Sequence, residues 1–381
     1  MMPLGEAFYR RKVAEIQAEL AYTHAETGLL LLDPHNVVYA TGFVHSPSER
    51  PIGCYIPASG DPVLFIPLLE QENAAATWIG DIRTYFEYPG EIHPIEWMIR
   101  EAGVERIGVD TLPAQLFATM TEPLTLMTQI ERLRQVKSAE EIALTEQAAR
   151  YADFCLETVL ATAGQIVRAG GTELDILAAC LSATLDKMQR EIGAQYGRRG
   201  LKVVGTVHSG PRAALPHGEP SARTPQPGEP LIAGIGAMVG GYHAESGATF
   251  LLGEPQGDQM RCLQAAVACD QAAVAALRPG ATCAAVNAAA LAVLRDYGLE
   301  EAIRHRIGHG MGLQGHESPW LAPGDVTIVQ PNMVFSNEPG IYRPEIDGYR
   351  TINTMIATDG EARVVSRFLA EHSPEERIIP L

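Results

Sequence analysis

The sequence has no C-x-x-C pair: its six cysteines, Cys54, Cys155, Cys180, Cys262, Cys269 and Cys283, are scattered over 381 residues. That spacing excludes a short disulfide framework and favours a reducing compartment in which the thiols are buried. No Lys/Arg-rich run stands against the formal charge of −17, so nucleic acid and anionic membrane surfaces are expected to be repelled. No window approaches the roughly 18 uninterrupted apolar residues of a membrane span, and charges interrupt MMPLGEAFYRRKVAEIQAEL where a signal peptide keeps its apolar core. The expected location is the cytoplasm. Low-complexity segments and short fixed-period repeats are also missing, so nothing points to a disordered tail or a solenoid.

What is present is ordinary globular composition, 46% apolar and 20% charged. At 381 residues the chain exceeds the size at which one core stops growing, so two domains are expected, 1–130 and 131–381. In the first, Phe8, Val13, Ile16 and Leu20 recur at helical spacing, and TGLLLL (27–32) reads as a buried strand behind a glycine. CYIPASGDPVLFIP reads as a hairpin turning at Ser59-Gly60-Asp61, and RIGVD (106–110) as a further short strand. The second opens with a capping box, Ser138 and Glu141, before a long helix. Strands are expected at 202–208, 229–238 and 247–253, then Ala-rich helices at 257–278 and 282–297, then strands broken by glycine turns. The fold class is α/β, with segregated α+β character.

The second half concentrates polar chemistry: His208, His217, His243, Glu245, His309, His316, Glu317 and Glu338. A histidine and carboxylate cluster suits metal ligation or general acid/base work. One histidine beside a glycine is most often a satisfied turn residue. Four motifs in fixed order carry more weight: SGPRAALPHGEP with His217, GGYHAESGATF with Glu245, RIGHGMGLQGHESP with His309 and His316, and MVFSNEPGIY with Glu338.

In these motifs the chain resembles the creatinase, prolidase and aminopeptidase P superfamily, the M24-type pita-bread fold. RRKVAEIQAEL followed by PHNVVYATGF resembles the opening of that family's N-terminal domain, and RLRQVKSAEEIALTEQAA its interdomain helix. The resemblance implies a small creatinase-like N-terminal domain followed by a pita-bread catalytic domain. Metal-dependent members hold two manganese, cobalt or zinc ions with two aspartates, a histidine and two glutamates. Here the first aspartate falls on Gly234 and the last glutamate on Ile352, while Glu245, His309 and Glu338 fall on the other three positions.

With those two ligands lost, the resemblance implies that a dinuclear site is gone. The site pattern is similar to creatinase, which cleaves a C–N bond with side chains alone. No metal cofactor is therefore expected; the alternative is one Mn, Co or Zn ion on Glu245, His309 and Glu338. The resemblance assigns His217 as the proton carrier, Glu245 and Glu338 as groups orienting water or a cationic substrate, and His309 and His316 as donors to developing charge. Arg50 in SERPIG resembles the arginine that creatinase inserts into the partner subunit's site, which implies a homodimer. Creatinase's own substrate contacts fall on Ala322 and Gly247, which argues against creatine.

The expected function is hydrolysis of an amide, amidine or guanidino C–N bond in a small substrate. The alternatives are a mononuclear Xaa-Pro dipeptidase or aminopeptidase, and a non-catalytic peptide-binding module of the same fold.

Overall fold

The computed structural model describes residues 2–22, 28–104, 106–120 and 123–381. Local signals place most element ends. Asp33 accepts hydrogen bonds from the amides of His35 and Asn36, Pro34 supplies the first helical position, and Gly42 at φ 72° closes the helix Pro34–Thr41. Thr27, at the start of the expected strand 27–32, lies outside the described residues; the strand itself is β1 (Leu29–Leu31).

Contacts divide the chain into two units, one running to Arg134 with Ala194–Gly200 added, the other comprising Gln135–Gly193 and Leu201–Leu381. In the first, β1 is joined by β2 (Gly53–Ile56), β3 (Val63–Pro67), β4 (Asp81–Tyr85), β5 (Ile107–Val109) and β6 (Leu124–Leu126). They form a mixed sheet in the order β4-β3-β2-β1-β5-β6. β2 and β3 are the antiparallel hairpin read around Gly60. Leu30, Phe65, Val109, Met98 and Ile99 pack into one core on this sheet.

The second unit opens on the helix Ala139–Arg168, where both hydrogen bonds of the Ser138/Glu141 capping box are formed. This helix lies on the long strands β8 (Pro230–Val239) and β9 (Tyr242–Leu252), which with β7 (Leu201–Ser209) and the short β17 (Ile378–Ile379) form a sheet ordered β17-β9-β8-β7. Gly240 and Gly241, both at positive φ (59° and 91°), make the two-residue turn between β8 and β9. Such a turn matches the twist of its strands and fixes their register. Gly236 is thereby set opposite Glu245, and Gly234 opposite Gly247. A second sheet, β11-β10-β12-β15-β16, is built from β10 (Gly308–Gly310), β11 (Glu317–Leu321), β12 (Val334–Asn337), β15 (Asn353–Ile356) and β16 (Arg363–Val364), with β13 (Gly340–Arg343) and β14 (Asp347–Arg350) as a separate hairpin.

The helices Gln259–Ala276 and Cys283–Asp296 pack on each other through Ala266, Cys269, Ala273, Val286 and Ala290, all fully buried. Small side chains let the two backbones approach closely. The helix Glu173–Tyr196 is an addition to the sequence reading, and β9 begins at Tyr242 rather than at 247. All six cysteines are buried and none forms a disulfide. Among the described residues no helix is long and apolar enough to cross a membrane.

Candidate active site

β9, β10 and β12 carry the three central groups. Glu245 lies within β9, His309 at the middle of β10, and Glu338 directly after β12. His309 is fully buried. Its Nδ1 lies 3.0 Å from the carbonyl oxygen of Gly310, and since a carbonyl can only accept, that nitrogen carries the proton. The Nε2 is left with no hydrogen-bond partner. It faces Glu338 Oε1 at 3.5 Å and Glu245 Oε2 at 3.7 Å. A lone pair held against two carboxylates is unfavourable until a proton or a metal cation comes between them.

Ser336 on β12 donates to Glu245 Oε2 at 2.6 Å. The backbone around Glu245 is fixed on both sides by Thr354, whose Oγ1 donates to the Glu245 carbonyl and accepts from its amide. Burial and the neighbouring Glu338 push the Glu245 carboxyl above the usual carboxylate range. His316 stacks on His309 with ring centroids 3.8 Å apart and brings its Nε2 to 4.0 Å from Glu245 Oε1. Burial and the adjacent His309 lower its pKa, so it is neutral near pH 7. Single ligand atoms of Glu245, His309 and His316 all lie within 4.8 Å of one another.

His217 is exposed on the segment after Ala214, within electrostatic reach of His305 and His316. Glu317 turns away from the cluster into a buried ion pair with Lys137 at 2.9 Å. His243 Nδ1 pairs with the Gly312 carbonyl. His208 is fully buried, and neither ring nitrogen has a partner. Arg50 belongs to the first unit, where Glu87 accepts from its Nε at 2.6 Å and Glu49 from its Nη1.

Three further residues beside the cluster were given no role by the motifs: His305, Tyr342 at the end of MVFSNEPGIY, and Arg350. The Nδ1 of His305 donates to the Arg306 carbonyl, so its Nε2 accepts from the Tyr342 hydroxyl at 2.9 Å. Burial holds His305 below its ordinary pKa. Arg350 is 7% exposed, and its Nη1 donates to the Pro216 carbonyl at 2.8 Å, beside His217.

The two positions without ligands are filled. Ile352 bridges to Gly247 by backbone hydrogen bonds, and its Cδ1 lies 2.6 Å from where a Cβ of residue 247 would stand and 3.2 Å from that of residue 234. Nη2 of Arg350 lies 2.9 Å from the same Cβ point of residue 234. A methyl group and a guanidinium thus occupy the neighbourhood of a second ion, and the residues present do not fit a dinuclear centre. One ion fits, because a buried lone pair and two carboxylates converge at His309.

Residues 143–359 match the metallopeptidase family M24, and residues 14–136 match the creatinase/prolidase N-terminal domain. The chain belongs to the M24 family. As a member it is a hydrolase acting on peptide C–N bonds, and M24 peptidases generally use a divalent metal. It is 31% identical to the probable dipeptidase PepE of Mycobacterium bovis, over 97% of this chain and 98% of that one. It is 29% identical to the Xaa-Pro dipeptidase of Lactobacillus delbrueckii subsp. lactis, over 83% and 86%. The crystal structure of dipeptidase PepE from Mycobacterium ulcerans superposes with a TM-score of 0.82 at 29% identity, covering 99% of this chain and all of that one. The two sheets and their helices are the pita-bread architecture of this family.

Proposed function

We propose that this M24 peptidase hydrolyses the amide bond of a peptide of dipeptide size, with one divalent ion seated on Glu245, His309 and Glu338 and His316 beside them. The observation that carries the reading is the buried, unpartnered Nε2 of His309 facing two carboxylates. The dipeptidase and Xaa-Pro dipeptidase names of the similar proteins support the substrate class.

When bound, such an ion polarises a scissile carbonyl and lowers the pKa of water to about 7. The chain's own residues do the rest. The hydrogen bond from His309 Nδ1 to Gly310 sets the tautomer that offers Nε2. Ser336 orients the Glu245 carboxylate, and Glu338 supplies the second negative charge opposite His309. His316 is neutral and half-exposed, so it can donate to the developing oxyanion. His217, exposed at the edge of the site, returns a proton to the leaving nitrogen.

A second reading is favoured by the filled positions at Gly234 and Ile352: catalysis by side chains alone, with a proton on His309 in place of the ion. Metal content by mass spectrometry, on protein purified without chelators and again after incubation with manganese, cobalt and zinc, separates the two. One ion per chain supports the first reading, and substoichiometric metal in both samples supports the second. Two ions per chain would overturn both. Dimer formation in the cytoplasm, with Arg50 completing the partner's site, remains part of the proposal. Gel filtration of a monomer would remove Arg50 from it.

A further inference from the structure

The sheet that carries His309 and Ser336 has a second face. Where β12 pairs with β15, Ser336 stands opposite Thr354 and Asn337 opposite Asn353. Ser336 and Thr354 both bond to Glu245, so by strand alternation the two asparagines point to the far side. There they meet Asp270 of the helix Gln259–Ala276: Asn337 Nδ2 donates to its Oδ1 at 2.6 Å and Asn353 Nδ2 to its Oδ2 at 2.8 Å. Asp270 is 6% exposed, and it lines a cavity of about 340 Å³ walled by Val274, Val364 and Leu369. No step of the proposed reaction uses this cavity.

Two amides take up about half of what a carboxylate can accept. Among the described residues no lysine, arginine or histidine nitrogen lies within 4.0 Å of the Asp270 oxygens. Arg377, fully buried, acts on Asp270 from beyond that distance, and burial outweighs it, pushing the carboxyl up to about 7. Arg278, which also lines the cavity, is turned to Glu361 and to the Ala275 carbonyl. Asn337 keeps a buried Oδ1 with no partner. The inner end is therefore supplied with acceptors and short of donors, while the walls are apolar.

We propose that this cavity is a second ligand site, for a small organic cation with a primary ammonium on a short branched apolar body. An ammonium brings three donors and the charge that Asp270 lacks beside it. A volume of some 300 Å³ or more, apolar walls and a few convergent polar groups are the ordinary make-up of a small-molecule site. An inorganic cation would need several more oxygen ligands than these walls offer. Two sources share the chemistry, a simple amine and a free amino acid.

The test is a calorimetric titration of isobutylamine into the full chain at about pH 8, where the amine is charged and Asp270 ionised. Wild type is expected to bind one per chain, and isobutanol, its neutral counterpart, at least about tenfold more weakly. Asp270→Asn removes the charge. Ala362→Trp fills the cavity from its wall and leaves Asp270 in place. Each is expected to weaken isobutylamine binding at least about tenfold. Far-UV circular dichroism checks that both fold, and if Asp270→Asn does not, Ala362→Trp decides. Wild type that takes no amine, or takes isobutanol equally well, would overturn the site. So would binding that survives in a folded variant, as it would if the amine sat on Glu245 and Glu338 instead. Valine has the same carbon skeleton with a carboxylate added. Displacement of bound isobutylamine by valine assigns the site to free amino acids; failure to displace assigns it to simple amines.

Discussion

The hydroxyl of Ser336 donates to the Oε2 of Glu245 at 2.6 Å, joining two sheets of the second unit. That bond favours the ionised carboxylate against the burial that opposes it. Removing it in Ser336→Ala raises the Glu245 pKa further. The acid limb of kcat/KM is then expected to move to higher pH, with about a tenfold loss at the acid end. A profile superimposable on wild type would show that the Glu245 charge does not limit the reaction.

His217 is exposed and makes no structural hydrogen bond to the cluster, so its replacement tests chemistry more than folding. His217→Ala is expected to lower kcat on the order of a hundredfold or more, with the thermal midpoint little changed. Near-wild-type turnover removes it as the proton carrier.

Restoring both missing carboxylates should restore a second ion. Gly234→Asp combined with Ile352→Glu returns two carboxylates beside Glu245 and takes away the methyl group that fills the gap. Metal content is expected to rise by one ion per chain relative to wild type in the same buffer. An unchanged content would mean that the backbone around β8 and β9, and not the two side chains, excludes it.

Asp270 is buried and held by the amides of Asn337 and Asn353, and burial pushes its carboxyl up to about 7 from an ordinary 3.8. Between those values the folded state keeps a proton that the unfolded chain has released, so this group's contribution to stability falls as pH rises and levels off above 7. Relative to Asp270→Asn, wild type should therefore lose stability from pH 5 to pH 7, by roughly 1.4 kcal/mol per pH unit at most. Urea unfolding at the two values checks the sign, and a gap that widens in favour of wild type contradicts it.

Much of this was legible where the signal is local. Ser138 and Glu141 announce a helix, Ser59-Gly60-Asp61 a hairpin, and the order of four motifs brings Glu245, His309 and Glu338 to one place. The helix Glu173–Tyr196 was legible too, since Ile176, Cys180, Thr184, Met188 and Ile192 recur every four residues and are buried, but no capping box draws the eye to it. Arg350 was not legible. Its importance lies in what residue 234 fails to offer across the sheet, and a missing side chain leaves no mark at the position that feels its loss. Arg50 likewise looks free in SERPIG, yet Glu87, 37 residues away, claims its Nε.

The contact between Ile352 and the paired glycines Gly234 and Gly247 also bears on how the protein can change. An aspartate alone at 234 would tie up Arg350 and meet the Ile352 methyl without gaining an ion. A glutamate alone at 352 would withdraw the plug over Gly247 and place an unpaired acid in its stead. Each step is unfavourable by itself and only the pair is useful, so the positions are epistatic. A change at either position alone therefore gains nothing until the other accompanies it.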